Sequence, residues 1–221
     1  MRQVLQAALL ALLLHVNPSR GAGQALHLPK KPLTLEQVFR LDATYTDPQH
    51  GVTFRYPSVW ESTTQYAYHA PALTVSGPNE PIAGFGYSEG GFPRDEIVGP
   101  YAGTNLEGFG LVYSAVPAAS ATECESEAAS VSDSDIHAHV VFGHRSFSVY
   151  KTGEGGMSQF ISGTLYAMYA SHTCYLFETD VAGSLEEDIQ RLTPSQSRYI
   201  DAHLLDIMKS VRILADGRHQ D

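Results

Sequence analysis

Gly51-Val52-Thr53-Phe54-Arg55-Tyr56-Pro57-Ser58-Val59-Trp60-Glu61 joins a clean strand signal to a hard stop, and it holds the single tryptophan of the 221-residue chain. Val52, Phe54 and Tyr56 alternate with Thr53 and Arg55, so one face of an extended segment is apolar and the other polar. Pro57 has no N–H to give a ladder and ends the pairing. Val59 and Trp60 are then expected to fold back over the sheet as a hydrophobic plug. This reads as the first core strand, with Phe54, Tyr56, Pro57 and Trp60 as structural core. The stretch contains no nucleophile, metal ligand or phosphate loop.

The same run carries a resemblance. Gly51, Phe54, Pro57 and Trp60 form a Gly-x-x-Phe-x-x-Pro-x-x-Trp pattern that resembles the opening hairpin of the PsbP-like superfamily. Leu204 to Ile213 (LLDIMKSVRI) is similar to the closing helix and strand of such domains. The resemblance implies a fold, an α+β domain with a single antiparallel sheet flanked by helices in an α/β/α sandwich. It carries over no binding residue, because nothing between Tyr87 and Tyr169 matches the family closely.

Upstream, Met1-Arg2 is followed by an apolar run through Leu14 and a small-residue exit at Gly21-Ala22-Gly23-Gln24-Ala25. A basic start, an apolar core too short to span a bilayer and a small-x-small exit predict a secretory signal peptide over residues 1–25. A single domain over 26–214 and a disordered polar tail over 215–221 are expected to follow. The destination is then the periplasm or the cell exterior, with no membrane insertion after cleavage. The chain has 14 basic and 24 acidic side chains, a formal charge of −10. That balance repels nucleic acid and anionic lipid surfaces. It leaves a protein or a small molecule as the partner to be expected.

Two cysteines, Cys124 and Cys174, lie beyond the leader, and in an oxidising compartment an even count favours a disulfide. Cys124 falls on a helical stripe with Ala121, Ala128 and Val131 after the Ser120-Ala121-Thr122-Glu123 capping pattern, which points it toward a sheet. Thr34-Leu35-Glu36-Gln37 predicts a helix over 35–41, and Thr193-Pro194-Ser195-Gln196 a longer one. Ile200, Leu204, Ile207, Met208 and Val211 lie on one face of that longer helix. Strands are expected at 63–69, 82–87, 106–116, 136–142, 145–151, 157–169, 174–181 and 211–214. Turns are expected at Asp47 to Gly51, Gly77 to Pro81 and Gly153 to Gly156. Residues 88–103, rich in glycine, read as a long loop that could carry a binding surface.

Three patterns could carry chemistry. Gly86-Tyr87-Ser88-Glu89-Gly90 matches the Gly-x-Ser-x-Gly elbow of serine hydrolases, with Ser88 as nucleophile. Gly91-Phe92-Pro93 then follows where the elbow needs a helix, and no His-Gly-Gly oxyanion stretch precedes it. His137 and His139 fall on one face of a strand, near His144, Asp133 and Asp135, a set that could bind zinc or copper. Same-face histidines on a solvent-facing strand are commoner than a site. Tyr66, Tyr68, Tyr87, Tyr113, Tyr150, Tyr166 and Tyr169 could line a groove for an apolar or sugar ligand, although strand tyrosines more often pack with the hydroxyl at the rim. There is no P-loop, dinucleotide fingerprint or zinc-finger spacing, so no cofactor is expected. The reading that results is a non-enzymatic binding module, with a serine hydrolase or a metal-binding protein as the alternatives.

Overall fold

The computed structural model describes residues 32–62, 81–89, 99–132, 138–156 and 158–214. The expected signal peptide, the strand at 63–69, the turn at 77–80, most of the 88–103 loop, His137 with Asp133 and Asp135, and the 215–221 tail lie outside them. The described elements are α1 (Leu35–Phe39), β1 (Ala43–Asp47), β2 (Val52–Tyr56), β3 (Glu61–Ser62), β4 (Ala83–Ser88) and β5 (Leu106–Pro117). After these come α2 (Ala121–Ser130), β6 (Ala138–Phe142), β7 (Arg145–Gly156), β8 (Gln159–Ala170), β9 (Thr173–Ser184), α3 (Pro194–Ser210) and β10 (Arg212–Ile213). The class is α+β with antiparallel ladders throughout, and no helix among the described residues is long and apolar enough to cross a membrane.

There are two sheets where the sequence predicts one. A seven-stranded sheet runs β3-β4-β5-β9-β8-β7-β6, and a separate three-stranded sheet runs β1-β2-β10. The reason is that β2 spends both edges elsewhere. One pairs with β1, Tyr45 opposite Phe54, and the other with β10, Arg212 opposite Thr53. Alternation along Val52–Tyr56 sets which face is apolar but is blind to partners. β1 itself is missed by the sequence reading, since Ala43-Thr44-Tyr45-Thr46-Asp47 carries too little apolar character to announce a strand.

The small sheet lays its apolar face on the large one. Phe54 meets Phe85 at 5.4 Å and Phe177 at 6.4 Å between ring centroids. Trp60 is 4% exposed, and its indole N–H donates to the Val38 carbonyl at 2.7 Å while the ring edges onto Phe109 at 5.6 Å. Val59, its expected companion in the plug, is exposed instead. Phe109 also stacks on Phe39 of α1 at 5.1 Å, so one ring on β5 gathers α1 and the turn after β2. α3 covers the remainder of this face with Ile200, Leu204, Ile207 and Met208. The opposite face is covered by α2, where Cys124 is joined to Cys174 of β9. Closing a loop of 50 residues contributes about 4 kcal/mol in the chain-entropy model. Tyr150 and Tyr169 pin the same helix by donating to the Glu125 and Ala119 carbonyls at 3.2 and 3.0 Å.

Caps and turns follow local chemistry with some displacement. Thr34 and Thr193 both make full capping boxes with Gln37 and Gln196. Ser120 accepts from the Glu123 N–H, but the Glu123 carboxylate turns back to the Ala119 N–H and leaves the box open. α1 stops at Phe39, two residues short of expectation. Gly153 to Gly156 is strand rather than turn, because each has a ladder partner in β8, from Ser162 to Gln159. The reversal comes afterwards, with Ser158 at φ 67°. The β8–β9 hairpin turns on Ser171 and His172, both left-handed, as a tight two-residue loop requires.

One buried carboxylate ties the sheets together. Asp47, 6% exposed, accepts from the Gln49 N–H at 2.9 Å and from the Tyr113 hydroxyl at 3.1 Å, and its other contact is the His50 ring at 2.6 Å. Burial acts to raise its pKa, and the His50 and Tyr113 hydrogen bonds outweigh it, so the net shift is downward. A carboxyl held below its unfolded value contributes stability above about pH 4 that is lost as pH falls through the folded value.

Two predictions follow from this packing. Trp60→Ala should lower stability by roughly 3 to 5 kcal/mol in urea unfolding, from lost burial and an unfilled cavity. An unmoved midpoint together with a freely quenched indole in the wild type would contradict it. Asp47→Asn should flatten the acid limb of the stability profile below about pH 4, and an acid slope identical to the wild type would show that Asp47 is not its source.

Candidate functional site

A cleft of about 740 Å³ lies between α3 and the face of β7, β8 and β9 that α3 only partly covers. Its floor is written by register. Lys151 of β7 is opposite Thr164 of β8, and Thr164 is opposite Thr179 of β9, so three polar side chains cross the sheet in one row. An apolar helix face seated on such a row would bury the exposed Lys151 ammonium, and the helix stands off there. On either side of the row the floor turns apolar, with Val149 and Tyr166 one way and Phe160 and Val181 the other. The roof is Ser197, Ile200, Asp201, Leu204 and Leu205 of α3.

Several of the polar groups are held in place by partners. Lys151 Nζ donates to Thr164 Oγ1 at 3.1 Å. Burial raises the Asp201 carboxyl above its ordinary range, and the positive charge of Lys151 opposes that shift. Burial likewise raises the Tyr166 phenol, with the Thr179 hydrogen bond pulling it down and the Asp201 charge pushing it up. At the far end Asn105, 7% exposed, donates from Nδ2 to the Ser184 carbonyl at 3.0 Å and accepts from the Leu192 N–H at 2.8 Å. Its own N–H donates to the Gln190 carbonyl at 2.7 Å. These bonds bracket Arg191 and fix the backbone at that mouth of the cleft. A volume of this size with apolar walls and a few fixed polar groups suits a small ligand.

The motifs singled out in the sequence fall elsewhere. Ser88 ends β4 in an antiparallel sheet, and its hydroxyl donates to the Glu107 carbonyl at 3.4 Å. Positive φ outside glycine is confined, among the described residues, to Ser158, Ser171 and His172, so Ser88 lacks the strained backbone of a nucleophile elbow. Its neighbour Glu89 turns inward to 5% exposure and accepts from the Tyr101 N–H at 2.8 Å. Burial raises that carboxyl, with Tyr87 and the Tyr101 N–H pulling the other way.

His139 is exposed on β6, with Nδ1 3.4 Å from Ser148 Oγ. The Ser148 hydroxyl donates to Glu125 Oε1 at 3.0 Å. Its one proton goes to a carboxylate, so Ser148 and His139 do not make the serine-to-imidazole donation of a Ser-His pair. No group of three metal-ligating side chains comes together among the described residues. Of the tyrosines that could line a groove, Tyr166 alone among the described residues lines the cleft. Tyr87 and Tyr113 lie in the core, Tyr150 and Tyr169 hold α2, and Tyr66 and Tyr68 are outside the described residues.

No family model matches this chain. No curated protein matches it either. Among solved structures, a protein of Bacteroides thetaiotaomicron VPI-5482 aligns over 79% of this chain at 10% identity with a TM-score of 0.43, and the chain spans about half, 49%, of that protein's length. LpqN, involved in cell envelope biogenesis of Mycobacterium tuberculosis, aligns over 82% of this chain and 98% of its own at 8% identity, with a TM-score of 0.40.

The electrostatics of the cleft give a direct expectation. Replacing Lys151 with Met removes the charge that opposes the burial shift on Asp201, so the Asp201 titration, followed by carboxyl NMR, should move upward. A titration that stays in place in Lys151→Met would mean that the two side chains do not sense each other.

Proposed function

We propose that this chain is an exported, non-enzymatic binding module of the PsbP-like α+β type, working in the cell envelope or outside the cell, and that it takes a small ligand in the cleft beneath α3. The cleft carries the reading. It is preformed, walled by apolar side chains from a sheet and a helix, and supplied with a handful of polar groups held by cross-strand register. The Cys124–Cys174 disulfide and the signal-peptide pattern at the N-terminus support export. The Gly51 to Trp60 run, with an indole buried behind a strand-ending proline, supports the family reading.

The test uses the full chain expressed with its N-terminal segment and recovered from the periplasm of a bacterial host. Denatured wild-type protein should release a small molecule in near-stoichiometric amount, seen by mass spectrometry, and Ser162→Trp, which fills the cleft floor, should release none. Stoichiometric labelling of the native protein by a fluorophosphonate, lost in Ser88→Ala, would overturn the binding reading in favour of a hydrolase.

A further inference from the structure

The charged side chains of the cleft are unequally committed. Lys151, Arg191 and Asp201 are the ionised side chains of its lining, so the lining leans positive in a chain whose formal charge is −10. Lys151 is already committed, since it donates to Thr164 and its charge acts on Asp201. Arg191 is not. It is exposed, and among the described residues it makes no ion pair or hydrogen bond, with Glu186, Glu187 and Asp188 close by in sequence.

Its backbone, by contrast, is held on both sides, by Gln190 O and by Leu192 N–H, each bonded to Asn105. A guanidinium on a pinned backbone at the mouth of an apolar cleft is a fork for a carboxylate or phosphate, and it matches such anions two oxygens at a time. Val140, Val149, Leu204 and Leu205 form an apolar part of the lining. From Tyr166 to Phe160 the floor runs six residues of β8, roughly 20 Å at strand rise.

We propose that the ligand of this cleft is an elongated amphiphilic anion, its single anionic group held by Arg191 and its apolar body lying along the Thr164 and Thr179 floor toward Leu204 and Leu205. This rests on the ligand cleft proposed above and adds the sign and position of the charge. The hydroxyls of Thr164 and Thr179 border the path and tolerate an apolar chain beside them because both already have partners in the sheet. A cationic amphiphile is disfavoured, since its head would lie against the uncommitted guanidinium.

Calorimetric titration of the full chain with dodecanoate, dodecan-1-ol and dodecylammonium, each below its micelle concentration, tests this. Dodecanoate should bind tightest and dodecylammonium weakest. Arg191→Ala should weaken dodecanoate about tenfold or more and leave dodecan-1-ol unchanged, and Arg191→Lys should recover part of the loss. Ser162→Trp should weaken all three. If the alcohol binds as tightly as the carboxylate, or Arg191→Ala changes nothing while Ser162→Trp still blocks, the anion assignment is wrong and the cleft stands. If Ser162→Trp leaves binding untouched, or no probe binds, both readings fall.

Discussion

Thr173–Ser184 is the strand on which the rest of the structure depends, because it is buried along almost its whole length on both faces. A strand in that position obliges the protein to supply two separate covers. One face, carrying Cys174 and Leu176, receives α2 and the disulfide. The other, carrying Tyr175 and Phe177, receives the three-stranded sheet, Trp60, α1 and α3. Neither cover is large, and each is held by a few specific ties rather than by area alone. Cys124 fixes one, and Asp47 with Phe109 fixes much of the other.

The cleft is where the second cover is incomplete. α3 presents a continuous apolar face, but the sheet beneath it changes from Phe177 and Tyr166 to the Lys151, Thr164 and Thr179 row within one pleat. The exposed Lys151 ammonium would lose its hydration under an apolar roof. Standing off costs less than closing. The opening that results combines apolar walls with an exposed guanidinium carried on a pinned backbone.

Tyrosine illustrates how much context decides. Seven strand tyrosines look equivalent in sequence, yet Tyr113 serves as a donor to Asp47 in the core, Tyr150 and Tyr169 serve as clamps on α2, and Tyr166 floors the cleft. Tyr113, Tyr150 and Tyr169 each give the hydroxyl to a polar partner, which is what an amphipathic side chain needs when buried. The partner it finds depends on which strand lies beside it and which helix lies above.

What was legible in the sequence was local. Both capping boxes built on Thr34 and Thr193, the long strands around Leu106 and Cys174, the apolar face of α3 and the stop after Pro57 follow from rules that act over a few residues, where side-chain hydrogen bonds and periodicity suffice. Pairing was not legible. That β2 would join β1 and β10 in a sheet of its own, that four residues from Gly153 to Gly156 would stay extended, and that Lys151, Thr164 and Thr179 would fall in one row all depend on which backbone lies alongside. Strand alternation repeats every two residues and reads the same against any neighbour, so partner and register are settled only when the tertiary structure buries one choice in preference to the others.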